Sequence, residues 1–317
     1  MSEKVNKLST EPYKGVRDFY PEDMAVQNYI FSTWRKTVEK AGYAEYSSSI
    51  LEYAELYRRK GSDEIVNDQM YLFRDKGDRE VALRPEMTPS LARMVAAKRR
   101  ELQREFPLRW FTIANCFRYE RPQRGRRREH WQLNCDLMGI AGTEADVEII
   151  KLAYDLMKAF GAKEQDFQIK INNRAHSEKE ISGLLKDPLT LPEAMRLIDK
   201  KNKITDEEFT AEWTKFSNKE FVLSASNGPT DVLEALTSAG ITNVIYEPTL
   251  VRGFDYYTGM VFEVFDTHEE NRRSLFGGGR YDNLMELFDA EPVPTVGFGM
   301  GDVTLRDFLV THALPLK

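Results

Sequence analysis

The chain has 317 residues, 41% of them hydrophobic and 30% charged, with a formal net charge of −6. Such a balance is ordinary for a globular protein of one large domain plus an insertion, and excludes a disordered or fibrous chain. An acidic total also means that any polyanion must be met by a local basic patch, and no apolar run approaches the roughly 20 residues that cross a bilayer.

The opening segment, MSEKVNKLSTEPYKG, has no apolar stretch and no small-residue cleavage site. No signal peptide is therefore expected, and the expected location is cytoplasmic. Cys116 and Cys135 form no CxxC pair, and His130, His176, His268 and His312 lack ligand spacing. Buried thiols are expected there rather than a disulfide or a structural zinc site.

In chain order, the first predicted element is a helix over 21–42, with Val26, Ile30, Trp34 and Val38 on one stripe and Gly42 placed to stop it. ALRPEMTPSLARM, residues 82–94, follows. Pro85 and Pro89 forbid an uninterrupted helix or central strand, so Glu86 and Thr88 belong to a fixed turn, with Thr88 or Ser90 capping the next helix. Strands are predicted over 108–117 and 131–140. Between them FRYERPQRGRRREHWQLNCDLMG packs six arginines into eleven positions around Pro122 and Gly125, a loop suited to gripping phosphate oxygens. On the second strand, period-two alternation puts Gln132, Asn134 and Asp136 on one face and Leu133, Cys135 and Leu137 on the other. A wholly polar face in hydrophobic sequence is costly unless it lines a pocket.

A helix over 143–160 is marked by Thr143 as N-cap, Asp146 completing a capping box, and Gly161 at its end. A strand over 167–172 precedes a Lys-, Glu- and Leu-rich stretch from 176 to 240. Helical spacing in 184–198 and 231–239 makes that stretch a helical insertion or a peripheral helical layer. Strands over 244–247 and 260–266 follow.

Three motifs close the chain. LVRGFDYYTGMVFEVF sets Arg252 beside Gly253, with Asp255 near enough to orient it and Tyr256 and Tyr257 offering rings with hydroxyls. FGGGRYDNL adds three glycines and Arg280, without being a dinucleotide fingerprint or a P-loop. VGFGMGDVTLRDFL is a Gly-rich strand leading into a helix. The expected fold is α+β, a largely antiparallel sheet flanked by helices. Taken singly, each motif also has a structural explanation: a solvated charged hairpin, an open polar strand face, a tyrosine-rich strand start.

Together and in this order, these segments resemble the catalytic domain of histidyl-tRNA synthetases, class II enzymes that join histidine to ATP and then to tRNA. The first helix and its strand look like motif 1, the dimer-forming element, FRYERPQRGRRREHWQ like motif 2, and VGFGMGDVTL like motif 3. LVRGFDYYTG and GGGRYD are similar to the two histidine signatures. By that resemblance, Glu86, Thr88 and Gln132 meet the histidine amino group, and Asp136 and Tyr257 meet its imidazole, with Tyr256 nearby. Arg118 holds the ATP α-phosphate and the histidine carboxylate, Arg126 reaches the outer phosphates, and Arg252 flanks the α-phosphate from the other side. Gln123 and Arg128 become candidates for touching the tRNA acceptor end, while Arg124 and Arg127 bind phosphate or solvate the loop. Mg2+ is expected to come with ATP, without protein ligands, and a homodimer is implied.

The implied organisation is a catalytic domain in two parts, 1–173 and 242–317, around a helical insertion at 174–241 that clasps the acceptor arm. No segment is left for the anticodon-binding domain of full-length members. Two departures stand out. Ser49 occupies the place of the motif 1 proline, and motif 3 reads Gly301, Asp302, Val303, Thr304 where the family pattern has an arginine for the ATP γ-phosphate. Arg306 is the candidate substitute. The rival reading is a non-catalytic, histidine-sensing regulatory paralogue of the histidine-biosynthetic ATP phosphoribosyltransferase. RPEMTPSLAR and the missing motif 3 arginine favour it; the complete motif 2 and LVRGFDYYTG oppose it. A pure tRNA-binding module would leave the Gln132/Asp136 face unexplained.

Overall fold

The computed structural model describes residues 8–59, 65–201, 204–224, 228–252 and 256–317. Helix α1 (Pro21–Lys40) opens on Pro21, whose missing N–H is no loss in a first turn, with Glu22 and Asp23 beside it. Ile30, Trp34 and Val38 are buried, and the chain leaves the helix through Gly42 at φ 87°. The strands β1 (Ala44–Glu45) and β2 (Leu51–Tyr53), the single turn α2 (Glu55–Arg58), β3 (Tyr71–Arg74) and β4 (Glu80–Leu83) follow. β2, β4 and β3 pair as a small antiparallel sheet in the order β2-β4-β3. Strands of three or four residues carry too little alternation for the sequence to reveal them.

Next come α3 (Thr88–Ala97), α4 (Arg99–Leu102), β5 (Leu108–Phe117), β6 (Glu129–Met138) and α5 (Thr143–Ala159). The expected caps are not those observed. Met87 precedes α3 and Gly142 precedes α5, neither with a side-chain capping bond, so Thr88 and Thr143 are each the first helical residue. Asp146 closes no capping box. It is buried and ion-paired with Arg280 at 2.9 Å, because a buried guanidinium needs a carboxylate more than an exposed helix start does.

β7 (Phe167–Asn173) leads into α6 (Arg174–Leu184), α7 (Leu191–Asp199), α8 (Asp206–Phe216) and α9 (Thr230–Ser238). The helical spacing over 184–198 is not one helix. Pro188 and Pro192 divide it, and Asp187 accepts from Leu189 N at 3.0 Å in the short turn between α6 and α7. α6, α7 and α8 surround their own cluster of Ile181, Ala194, Met195, Ile198, Phe209 and Trp213. α9 packs elsewhere: Val232 and Leu236 join the main core, where the helix lies on α5.

The chain ends with β8 (Val244–Tyr246), β9 (Met260–Asp266), β10 (Ser274–Arg280), β11 (Thr295–Gly301) and α10 (Asp302–Thr311). The main sheet runs β1-β5-β6-β11-β10-β9-β7-β8. Its six middle strands are antiparallel, and only the edge pairs β1/β5 and β7/β8 are parallel. One face carries the core, where Leu133, Cys135 and Leu137 of β6 meet Ile149 and Leu156 of α5, Trp34 of α1 and Phe308 of α10. Both cysteines are buried and free, as expected. Among the described residues no helix is long and apolar enough to cross a membrane.

Candidate active site

The opposite face of β6 carries the polar alternation read from the sequence. Gln132, Asn134 and Asp136 line a cavity of about 280 Å³ together with Glu86, Thr88, Arg118, Arg126, Arg252, Tyr256 and Tyr257. The residues assigned to histidine and to ATP, the candidate Arg306 excepted, are thus brought to one place, from segments up to 171 positions apart. The glycines of β11 and β10 make the room. A Cβ on Gly299 would lie 1.8 Å from Gln132 Nε2, one on Gly297 2.3 Å from Asp136 Oδ1, and one on Gly277 2.0 Å from Arg252 Nη1. Glycine there lets polar side chains lie flat across the neighbouring strand.

Electrostatically the cavity is unfinished. Glu86 is 4% exposed; its Oε2 accepts from the Tyr256 hydroxyl at 3.2 Å, and its Oε1 is buried with no hydrogen-bond partner among the described residues. The side-chain oxygens of Gln132 and Asn134 and the Nε of Arg252 are in the same position. Buried polar groups are normally satisfied, so four orphans in one cavity point to a polar ligand. Burial pushes the Glu86 carboxyl up to about 7, against the pull of Arg118 and the Tyr256 hydrogen bond. Burial does the same to Asp136, also to about 7, opposed by its hydrogen bond from Tyr281. His130, another lining residue, is pushed down to about 3 by burial and by Arg118 and Arg17, so it stands as a neutral imidazole.

The raised Glu86 carboxyl has a consequence for stability. The folded protein holds a proton that the unfolded chain releases near 4.5, so folding stability falls as pH rises from about 4.5 to about 7 and stays reduced above it. Glu86→Gln is expected to raise the melting temperature at pH 8, by an amount equivalent to on the order of 3 kcal/mol, and to change it little at pH 4.5. An equal change at both pH values would contradict the assignment.

Arg118 follows β5 and donates from Nε to Pro85 O at 2.9 Å, which aims it past the turn that holds Glu86. Arg252 sits at φ 50°, a backbone conformation costly for a side chain of its size. Its Nη1 lies 3.1 Å from Glu263 Oε1 and donates to Phe262 O at 3.2 Å. The orienting role read for Asp255, like the place of Gly253 beside Arg252, lies outside the described residues. In the strand order, β6, β11 and β10 separate β5 from β9, so Arg118 and Arg252 approach the cavity from opposite flanks of that floor.

The two tRNA candidates lie elsewhere. Gln123 is exposed at a tight turn, where its N–H donates to Arg126 O at 3.3 Å and Gly125 takes φ 77°. Arg128 is 8% exposed and spoken for: its guanidinium lies 3.8 Å from the Tyr119 ring centre and donates to the Tyr13 hydroxyl at 2.8 Å and Glu120 O at 3.2 Å. It holds residues 13–15 to the loop and is not presented to a partner, because six arginines within eleven positions carry no mark of which one folds inward. Arg306 does not replace the missing motif 3 arginine either, being paired with Asp23 at 3.2 Å. Thr304 does line the cavity, with its hydroxyl donating to Leu275 O at 2.7 Å.

Sequence reading passed over Tyr281, whose hydroxyl donates to Asp136 Oδ1 inside the cavity. The charged neighbour Arg280 drew attention instead, yet Arg280 is structural, donating to Asp146, Ile140 O and Gly142 O. Period-two alternation around the end of β10 was the available signal, since neighbours in an extended chain face opposite ways.

Comparison with known proteins finds similar chains. A sequence profile described as histidyl-tRNA synthetase matches residues 15–239 and 174–303. A histidine–tRNA ligase of Leptospira biflexa is 48% identical, over 98% of this chain and 76% of that protein. One from Opitutus terrae is 39% identical, over 95% of this chain and 75% of that protein. Among solved structures, an ATP phosphoribosyltransferase regulatory subunit/histidyl-tRNA synthetase from Bacillus halodurans superposes with a TM-score of 0.78. It covers 96% of this chain and 84% of that one at 24% identity, a likeness of fold.

Proposed function

The chain belongs to the histidyl-tRNA synthetase family, and we propose that it activates histidine with ATP and passes the histidyl group to the 3′ end of a tRNA. The observation that carries this reading is a single cavity holding two buried carboxylates, Glu86 and Asp136, between arginines from opposite flanks, Arg118 and Arg252. A ligand with an ammonium, an imidazole and a carboxylate supplies the partners that the cavity lacks.

In this reading Glu86 and the side-chain oxygen of Gln132 accept from the histidine ammonium beside Thr88. Asp136, set by Tyr281, accepts from the imidazole, which packs against Tyr256 and Tyr257. The histidine carboxylate is ionised at neutral pH and attacks the α-phosphorus in line, so no general base is required. Negative charge grows on the α-phosphoryl oxygens, and fixed guanidinium groups stabilise it most where it grows. Arg118 and Arg252 supply them, with Arg126 toward the outer phosphates. ATP enters as its Mg2+ complex. Among the described residues no group of three or more His, Cys, Asp or Glu is placed to hold a metal.

Gln123, at the tip of the exposed turn, remains our candidate for the acceptor end of tRNA, and Arg128 does not. The α6–α8 unit is proposed to steady the acceptor arm, and the place of action proposed is the cytoplasm. A homodimer is proposed through the small sheet, whose register puts Leu51, Tyr53 and Phe73 on one face at 44%, 59% and 46% exposure. Sedimentation as a monomer at micromolar concentration would remove that part. Transfer of labelled histidine to tRNA tests the function as a whole: charging is expected, whereas histidine binding without charging would favour the regulatory paralogue, the reading that Thr304 supports.

A further inference from the structure

Histidine accounts for one end of the cavity and leaves the other open. Asp136, Asn134 and Gln132 follow one another along β6, opposite Gly297, Gly299 and Gly301 of β11. From Asp136 to Gln132 that is roughly 13 Å at the usual strand rise. Beyond Gly301 the wall is made by Val303, Thr304, Gly125, Arg126 and Arg127. Arg126 has an acidic neighbour, Glu120, with Nε 3.5 Å from Oε2. Arg127 is exposed and makes no ion pair or side-chain hydrogen bond among the described residues.

One more cation lies just behind this end, outside the lining itself and against the back of Gly125. Arg273, the residue before β10, presses on the same point as Thr304. A Cβ on Gly125 would lie 2.1 Å from Arg273 Nη1 and 3.7 Å from Thr304 Cγ2. Arg273 is fixed there by donating from Nη1 to Arg124 O at 2.8 Å. Its charge is not consumed: the acidic side chain near it, Asp307, is 3.9 Å away, with both oxygens already taken by Arg124 Nε at 2.9 and 3.0 Å.

We infer that Arg273, with Arg127, grips the outer phosphates of ATP and fills from β10 the place that Thr304 leaves uncharged on α10. ATP as the ligand rests on the ligase reading; the cationic end of the cavity does not. Two guanidinium groups suit adjacent phosphates because each offers paired donors to oxygens, and one held in place loses little freedom on binding. Gly125 is part of the device: its open Cβ position and φ of 77° admit the Arg273 guanidinium under the loop.

Calorimetric binding of ATP and of AMP to the full chain tests the inference. Arg273→Ala is expected to weaken ATP about 10- to 100-fold and AMP hardly at all, since only ATP has outer phosphates. Arg127→Ala is expected to act in the same direction and less strongly. Thr304→Arg, added to Arg273→Ala, is expected to recover ATP binding by delivering a guanidinium to the same point. Unchanged ATP binding in Arg273→Ala overturns the inference, and so does an equal loss for ATP and AMP, the mark of a structural role. Should Arg273→Ala fail to fold, Arg127→Ala on its exposed residue decides by the same comparison. The measurement needs no histidine and no turnover. A chain that discriminates ATP from AMP in this way but never activates histidine would defeat the ligase reading and leave the grip standing. Histidine activation with ATP binding indifferent to Arg273 would do the reverse.

Discussion

Arg252→Ala is expected to slow formation of histidyl-adenylate on the order of 10²–10³-fold while leaving histidine affinity nearly unchanged. The guanidinium is prepaid in structure. It is held at φ 50° against ordinary backbone preference, anchored to Glu263 Oε1 at 3.1 Å and Phe262 O at 3.2 Å, and given room by Gly277. An arginine so confined hardly reorganises when charge moves onto the α-phosphoryl oxygens, which is why its removal falls on the chemical step. The truncation does not strand a charge, because the Glu263 side chain is 20% exposed and meets solvent. Single-turnover adenylate formation and equilibrium histidine binding separate the two effects. An unchanged rate, or a loss of histidine affinity as large as the loss of rate, would contradict the role.

Asp136→Ala is expected to act on the other parameter, raising the KM for histidine about 10- to 100-fold with a smaller effect on kcat. Asp136 is 3% exposed, receives the Tyr281 hydroxyl on Oδ1, and lines the cavity. Recognition of the imidazole is complete before any bond changes, so the loss belongs to ground-state binding. Asp136→Asn keeps the volume and one acceptor and should fall between the two. An unchanged KM in Asp136→Ala would send the imidazole elsewhere in the cavity.

How far the sequence revealed this site depends on the range of the signal. The polar face of β6 was legible because period-two alternation is local, and β5 and β9 were placed to the residue by their aromatic and β-branched runs. Convergence on one cavity was implied only by the resemblance, since periodicity does not say that Glu86 and Tyr256, 170 positions apart, share a hydrogen bond. The missed pairing of Tyr281 with Asp136 is of the same kind. So is the burial of Arg128 against Tyr13 and Tyr119, which depends on how the chain returns over its own loop. Gly297 and Gly299 were visible as a pattern but not explained, because their purpose is to clear side chains on the neighbouring strand. α9 shared the composition of the helical stretch before it, yet tertiary packing sent it to α5.

The most direct test of the central claim is histidine-dependent exchange of pyrophosphate into ATP, with the other amino acids as controls. It isolates adenylate formation and needs no tRNA. Exchange with histidine alone is expected, at a rate that falls in Arg252→Ala. Absence of exchange in a chain that still binds histidine would contradict the account and leave a histidine-sensing regulator in its place.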